Sequence, residues 1–311
     1  MTDQNFKIFQ KRKATWSGLG TNVSNATNSK EVLEEAGLNW NVYQRDMISM
    51  DGIPIDGYKA NIRDTDDVVL GVVTDKYKVV QNEEAFRFTE DLLGEGVRYE
   101  KAGAIQGGRK TWILAKMPYK YQMLGDWVEP YLVFYNSHDG SGSIKVAITP
   151  IRVMCQNTLN LALRKASRSW STKHTGDIHL RLEDAKDTLL KAHNYMEELN
   201  NEMTNLSRIR LNDQAVEAFI DELIPISDKA STLQKKNIMN LREGLKTRYF
   251  LAPDLKGIGK NAYKLINAVS DFATHAEPQR KTHNFQENLF LKTVDGHPLI
   301  DKAHRMILKI A

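Results

Sequence analysis

The apolar residues of this chain change their period part-way along it, and that switch limits what it can fold into. Up to about Thr149 they come in short β-rich runs: "WNVYQRDMI", "YKANIR", "VVLGVV", "RKTWILAKM", "EPYLVFYNS" and "SIKVAIT". Breaks bearing glycine and aspartate separate them, as hairpin turns require. Gly107-Gly108 stands between "VRYEKAGAI" and "RKTWILAKM", and "HDGSG" stands between the last two runs. After Pro150 the runs lengthen and take helical spacing. "HLRLEDAKDTLLKAHNYMEELNNEM", "NDQAVEAFIDELI", "STLQKKNIMNLREGLKTRYF" and "NAYKLINAVSDFATHA" all read this way. The predicted class is α+β, a twisted antiparallel sheet in the N-terminal half followed by a helical C-terminal half.

Three segments follow from this reading. Residues 1–20, polar and carrying Lys11, Arg12 and Lys13 together, are expected to be a mobile basic arm. Residues 21–178 form the strand-rich core, and residues 179–311 the helical region. Inside the core, "NEEAFRFTEDLLGEG" predicts one helix, with Asn82 as its cap, Phe86, Leu92 and Leu93 buried, and Gly94 as its stop. "CQNTLNLALRKA" predicts another, because Leu159, Ala162, Leu163 and Ala166 recur at helical spacing.

Several function classes drop out early. No apolar run approaches the roughly 20 residues of a membrane span, and the N-terminus lacks a secretory apolar core. With one cysteine in 311 residues, a reducing cytoplasm is the expected compartment. "GIGKNAY" (Gly257 to Tyr263) has the Gly-Lys of a phosphate loop without its glycine spacing or the Ser/Thr that meets magnesium. It reads as a turn and a helix start. Asp64, Asp66 and Asp67 in "RDTDD" read as a solvated turn rather than a metal site. No cofactor, metal site or catalytic residue is expected.

The stretch from Asn136 to Ala166, "NSHDGSGSIKVAITPIRVMCQNTLNLALRKA", concentrates the reactive side chains. Cys155, His138 and Asp139 are the residue types of nucleophilic catalysis, in which a base must reach the nucleophile and a third group must orient the base. Yet Cys155 lies in "VMCQNTL" without a strained glycine turn, so it reads as a small buried hydrophobe. "HDGSG" reads as a tight turn, since glycine tolerates positive φ. Charge remains. The chain carries only +4 in all, but from Gly140 to Gly176 there is no acidic residue. Lys145, Arg152, Arg164, Lys165, Arg168, Lys173 and His174 stand in that interval, with Trp170 among them. Such a surface neutralises phosphates, and an interleaved aromatic stacks on a base. Arg109 and Lys110, at the mouth of the Gly107-Gly108 hairpin, extend the set. The competing reading has this stretch pairing with acidic helices of the same fold. A second basic run, Lys235, Lys236, Arg242, Lys246 and Arg248, reads as a solvated helix face.

Read in order, "WSGLG", "EAGLNWNV", "VVLGVVTDKYKVVQNEEAF", "GGRKTWILAKMP", "EPYLVFYNSHDGSGSIKVAITPIRVMCQNTLNLAL" and "STKHT" resemble a family of phage- and plasmid-like proteins. That family is catalogued as a domain of unknown function, DUF932. The resemblance runs from about Trp16 to the helix starting near His179, and more weakly to the end. It implies a mobile-element setting and a cytoplasmic protein, and no established activity. A sheet leading directly into a helix is also similar to the core of phage single-strand annealing proteins and the RAD fifty-two annealases. That second likeness is one of fold only.

The functional expectation is a phage or plasmid nucleic-acid-binding protein: an ATP-independent, homo-oligomeric binder and annealer of single-stranded DNA. The alternative, from a different class, is a counter-defence or regulatory protein that captures a host protein through its helical half. An enzyme built on His138, Asp139 and His174 ranks below both.

Overall fold

The computed structural model describes residues 8–10, 12–87, 89, 96–163, 168–176, 178–278 and 280–310, with side chains of the long helix from residue 191 onward. The strands are β1 (Thr21–Asn22), β2 (Val42–Ile48), β3 (Pro54–Arg63), β4 (Val69–Thr74), β5 (Arg98–Ile105), β6 (Lys110–Lys116), β7 (Tyr121–Met123), β8 (Asp126–Ser137), β9 (Ile144–Arg152) and β10 (Ser169–Thr172). The helices are α1 (Ser29–Glu35), α2 (Asn82–Arg87), α3 (Ile178–Arg208), α4 (Asp213–Leu223), α5 (Thr232–Leu251), α6 (Ala262–His275), α7 (Phe285–Asp295) and α8 (Pro298–Ile310). The class is α+β, with antiparallel sheets in the N-terminal half and helices in the C-terminal half. Leu92, Leu93 and Gly94, expected to finish the helix that begins at Asn82, lie outside the described residues.

Strand alternation sorts the large sheet into two faces. Its order is β1-β5-β6-β8-β9-β10, with β7 paired to the start of β8. Ile113, Leu132, Phe134, Val146 and Ile148 point one way and join Tyr195, Met196, Leu199, Leu245, Ile266 and Ile307 in one core. Sheet and helices therefore bury their apolar faces against each other. Helix α6 is buried nearly all round, its polar Asn267, Ser270 and Asp271 included, which places it at the centre of the helical layer; it touches α3, α5 and α8.

Trp112, Leu114, Val133, Tyr135 and Ala147 point the other way, into a second core with Trp16, Phe290 and Val294. Residues 12–20 belong to this second layer, which corrects the expectation of a mobile arm across residues 1–20. Trp16 is buried with its ring 5.1 Å from that of Tyr131, and Lys101 donates to the carbonyl of Leu19 at 3.0 Å. Arg12 pairs with Asp254 at 2.5 Å and also with Asp271. Burying an indole and satisfying a guanidinium outweigh the entropy of a loose terminus. Lys11 lies outside the described residues, and Lys13 is exposed.

The segment after β9 also departs from expectation, because residues 155–163 are not helical. Gln156 takes a φ of +57°, and the chain doubles back so that Thr158 bridges Ile151. Asn157 to Leu161 are all buried, polar and apolar residues alike, and Ala162 is the first exposed residue after them. Buried backbone outside a ladder must find other partners. Here Ser270 of α6 donates to the carbonyl of Thr158 at 2.5 Å, and Tyr195 of α3 to that of Leu161 at 2.9 Å. Tertiary donors thus replace the helix's own hydrogen bonds.

A three-stranded sheet, β2-β3-β4, docks against the β8–β9 turn. Gly71 on β4 makes the approach possible: a Cβ there would lie 2.5 Å from the Cα of Asp139. Asn61 donates to the carbonyl of His138 at 2.7 Å, and Tyr77 to that of Ser137 at 2.6 Å. Gly71→Ala should therefore destabilise the fold by about 1–3 kcal/mol, the range for forced overpacking. Gly18→Ala, with open space around it, should stay within about 0.5 kcal/mol. Urea unfolding of both variants checks this, and equal midpoints would refute the docking role of Gly71.

Candidate functional site

The turn that locks the sheets together also forms one wall of a cleft. Antiparallel register sets Lys110 opposite Ser137 and Tyr135 opposite Lys145, all on the face that carries the second core. The chain then brings Lys173 to the same end, just beyond β10. The result is a cleft of about 550 Å³ bordered by Lys110, Lys145, Lys173, His174, Tyr77 and the Gly140–Ser143 turn. Arg109 is exposed beside Lys110, and its carbonyl accepts from the N–H of His138 at 2.7 Å.

The turn is ordered by Asp139. One carboxylate oxygen accepts from the Ser137 hydroxyl at 2.6 Å, from the Ser141 hydroxyl at 2.7 Å and from the Ser141 N–H at 2.9 Å. Burial pushes this carboxyl up, but those hydrogen bonds and the charge of Lys110 hold it below the usual carboxylate range. Lys110 stands 4.0 Å from Asp139, a loose pairing. Lys145 pairs with Asp295 at 2.5 Å. Asp295 is well exposed, so that pair is worth about 0–1 kcal/mol and exchanges for another anion at little cost. Lys173 is exposed.

Two histidines brace the seam. His138 Nε2 donates to Asn82 Oδ1 at 2.9 Å, the oxygen that also accepts from Thr111, which leaves Nδ1 without its proton. Burial, helped by neighbouring His174, depresses His138 to about 3. His174 stacks on Tyr77 at 4.6 Å, and its Nδ1 donates to the carbonyl of Lys78 at 3.2 Å. Burial depresses it to about 4. Both rings are scaffold and neutral.

The other candidate residues divide. Arg152 is buried and spent on ion pairs with Asp126 at 2.5 Å and Asp254 at 3.0 Å, so it cannot meet phosphate. Arg168 is buried too, donating to the carbonyls of Ile148 at 3.1 Å and Val294 at 2.7 Å. Both corrections have one cause: the segment's counter-charges and acceptors arrive from distant parts of the chain. Trp170 sits opposite Val146 and packs on the helix-side core, away from Lys145, so it is not a stacking platform on the cationic face. Arg164 and Lys165 lie outside the described residues. Cys155 is buried, with its thiol pushed up to about 12 by burial. It follows the end of β9 whereas His138 precedes its start; at about 3.4 Å per residue that nine-residue strand spans roughly 30 Å. Cys155 and His138 therefore form no nucleophile–base pair. Among the described residues, no group of three or more His, Cys, Asp or Glu is placed to hold a metal ion, and no helix is long and apolar enough to cross a membrane.

Sequence reasoning missed Tyr77 and the part played by β4. The signal available was Gly71 between apolar residues of a strand, which often marks a close backbone approach.

Two predictions arise from this geometry. Arg152→Met should destabilise the protein by about 3–5 kcal/mol, because it strands carboxylates in the interior. Denaturant midpoints check it, and a loss under about 1 kcal/mol would contradict the buried network. The second concerns pH. His138 and His174 are neutral when folded but charge near 6.5 when unfolded, so the unfolded state binds more protons as pH falls. Their stabilisation is complete above about pH 6.5 and drains away toward pH 4, at about 1.4 kcal/mol per pH unit for each. Unfolding free energies at pH 7, 6 and 5 should fall accordingly, and less steeply in His174→Gln. A flat profile in wild type would refute the assignment.

The comparisons with known proteins bear on this region directly. Residues 69–293 match the domain of unknown function DUF932, which covers more than two-thirds of the chain. The match starts at β4 rather than near Trp16 and continues through the helical half into α7, so it takes in the cleft except for Asp295. Neither the curated proteins nor the solved structures yield a match. The likeness to single-strand annealing proteins therefore gains no support, and the helix after β9 on which it leaned is not formed by residues 155–163. By the extent of its match, the chain belongs to the DUF932 family.

Proposed function

We propose that this protein binds nucleic acid, preferentially a single strand, through the phosphate backbone at the cleft of Lys110, Lys145 and Lys173, with Arg109 at its rim. The observation that carries the reading is convergence. Cations from three separate segments meet at one end of the sheet beside a glycine-serine turn. Loosely or externally paired lysines are the groups that exchange a carboxylate for a phosphate, releasing counterions as they do.

The cleft's aromatic rings, Tyr77 and Tyr135, are buried, so the grip leaves bases outside. A backbone grip with bases exposed suits ATP-independent annealing, in which a second strand must pair with the first. The mobile-element setting and cytoplasmic location implied by the family resemblance fit the same reading. Homo-oligomerisation would multiply a weak individual grip.

The test is a salt titration of one fluorescent oligonucleotide against wild type, Lys145→Ala/Lys173→Ala and Trp170→Ala. The double variant should lower the log–log salt slope by roughly 1.4, about 0.7 for each lost single-strand contact. Trp170→Ala should leave the slope unchanged and reduce stability instead. Binding should persist in EDTA without nucleotide. Absence of binding by folded wild type at low salt would overturn the reading in favour of a host-protein partner.

A further inference from the structure

The small sheet carries a feature that the nucleic-acid reading does not use. β4 covers β3 only between Tyr58 and Ile62, whereas β2 and β3 continue to Ile48 and Pro54. Beyond β4 the chain is a two-stranded ribbon, and Ile48, Met50, Ile53 and Ile55 are all exposed on it. Register sets Ile48 and Ile55 on opposite faces, with Met50 and Ile53 at the tip, so apolar side chains are exposed on both sides. An isolated ribbon is marginal in water, and apolar surface left open on one marks a contact site. The charge at its tip has one sign. Asp51 and Asp56 are exposed there, while Asp46 nearer the sheet is paired with Lys59 at 3.8 Å. Two carboxylates at the tip oppose a polyanion or an anionic lipid surface and favour a cationic, partly apolar protein face.

The same chain offers one. On α5 the first turn, Thr232 to Lys236, is exposed all round, and the later exposed positions, Met239, Asn240, Glu243 and Phe250, share one side. Among these positions Leu233, Met239 and Phe250 are apolar, and Lys236 lies between the first two. Lys235 and Lys229, also exposed, extend the positive charge at this end of the helix, and the exposed acids Asp228 and Glu243 bound the basic stretch. Three cations with exposed Leu and Met near the start of α5 face two carboxylates with exposed Ile and Met at the ribbon tip. We propose that the ribbon of one copy seats on the outer face of α5 in the next copy, head to tail. Such a contact uses two different surfaces per chain, so it propagates into a ring or a filament and does not close as a two-fold dimer.

Two surface variants separate this arrangement from the alternatives. Met50→Lys/Ile53→Lys places cations on the ribbon, and Leu233→Glu/Met239→Glu places anions on the helix; each repels its complement. By light scattering at tens of micromolar protein, wild type should assemble beyond a dimer, more weakly at high salt. Each variant alone should be a monomer. Their mixture should associate again, because each retains one intact face and the two altered faces carry opposite charges. A monomeric wild type would overturn the proposal. So would a helix variant that assembles as well as wild type, the result expected of ribbon-to-ribbon pairing or of a ribbon reserved for another protein. A mixture that stays monomeric, with both variants melting as wild type does, would overturn it too. Lys235→Glu/Lys236→Glu, which alters no packed residue, provides the helix arm again should the first variant melt early. None of these outcomes depends on oligonucleotide binding.

Discussion

The architecture near the cleft depends on one close approach of backbone to backbone. Gly71 has no side chain, so the Asp139 main chain can lie directly on β4. Hydrogen bonds from Asn61 and Tyr77 hold the turn there through the carbonyls of His138 and Ser137. Once the turn is fixed, Lys110 and Lys145 stand at one end of the sheet by register alone. The price is two histidines sealed in the joint, neutral because burial makes their charged forms unfavourable. Rigidity at the wall of the cleft and sensitivity to acid come from the same packing.

At the far end of β9 the interior holds a charge network instead. Arg12 from the N-terminal strap, Arg152 from β9 and Arg248 from α5 face Asp126, Asp254 and Asp271. Three cations meet three carboxylates, which is what permits so many charges indoors. Burial raises the Asp271 carboxyl, while Arg12 and Arg248 oppose that shift. Buried networks of this kind add little net stability compared with apolar packing, yet removing one member is costly. Here the network joins strap, sheet and helices, three parts that hydrophobic contact alone would let slide.

Much of the fold was legible because periodicity and turn chemistry are local. The β8–β9 hairpin follows from "HDGSG", the β5–β6 hairpin from Gly107-Gly108, and the start of α6 from "GIGKNAY", where Asn261 caps the helix by accepting from Lys264 at 2.9 Å. Asp64, Asp66 and Asp67 do form the exposed β3–β4 turn, with Asp66 spent on Arg63 at 2.6 Å. What was illegible depended on distant partners. Residues 155–163 have a helical spacing of apolar groups, but Ser270 and Tyr195, more than thirty residues away, bond their carbonyls in an extended path. Trp16 gave no periodic signal, since it fills a gap on a sheet face rather than belonging to an element.

The cationic interval shows why composition locates a site only coarsely. A stretch free of acids from Gly140 to Gly176 looks like a surface waiting for an anion. Along β9, however, alternation and depth assign each cation separately. Lys145, at the open end of the strand, keeps an exposed and exchangeable partner. Arg152, at the closed end, receives two carboxylates from segments that fold over it. Arg168 is held by carbonyls of β9 and α7. An arginine suits those interior positions because its planar fork satisfies several acceptors at once, whereas a lysine at the rim moves easily between partners. Residue type therefore carried the distinction that charge alone did not: in this interval the described arginines are internal struts, and the lysines are what the cleft presents to solvent.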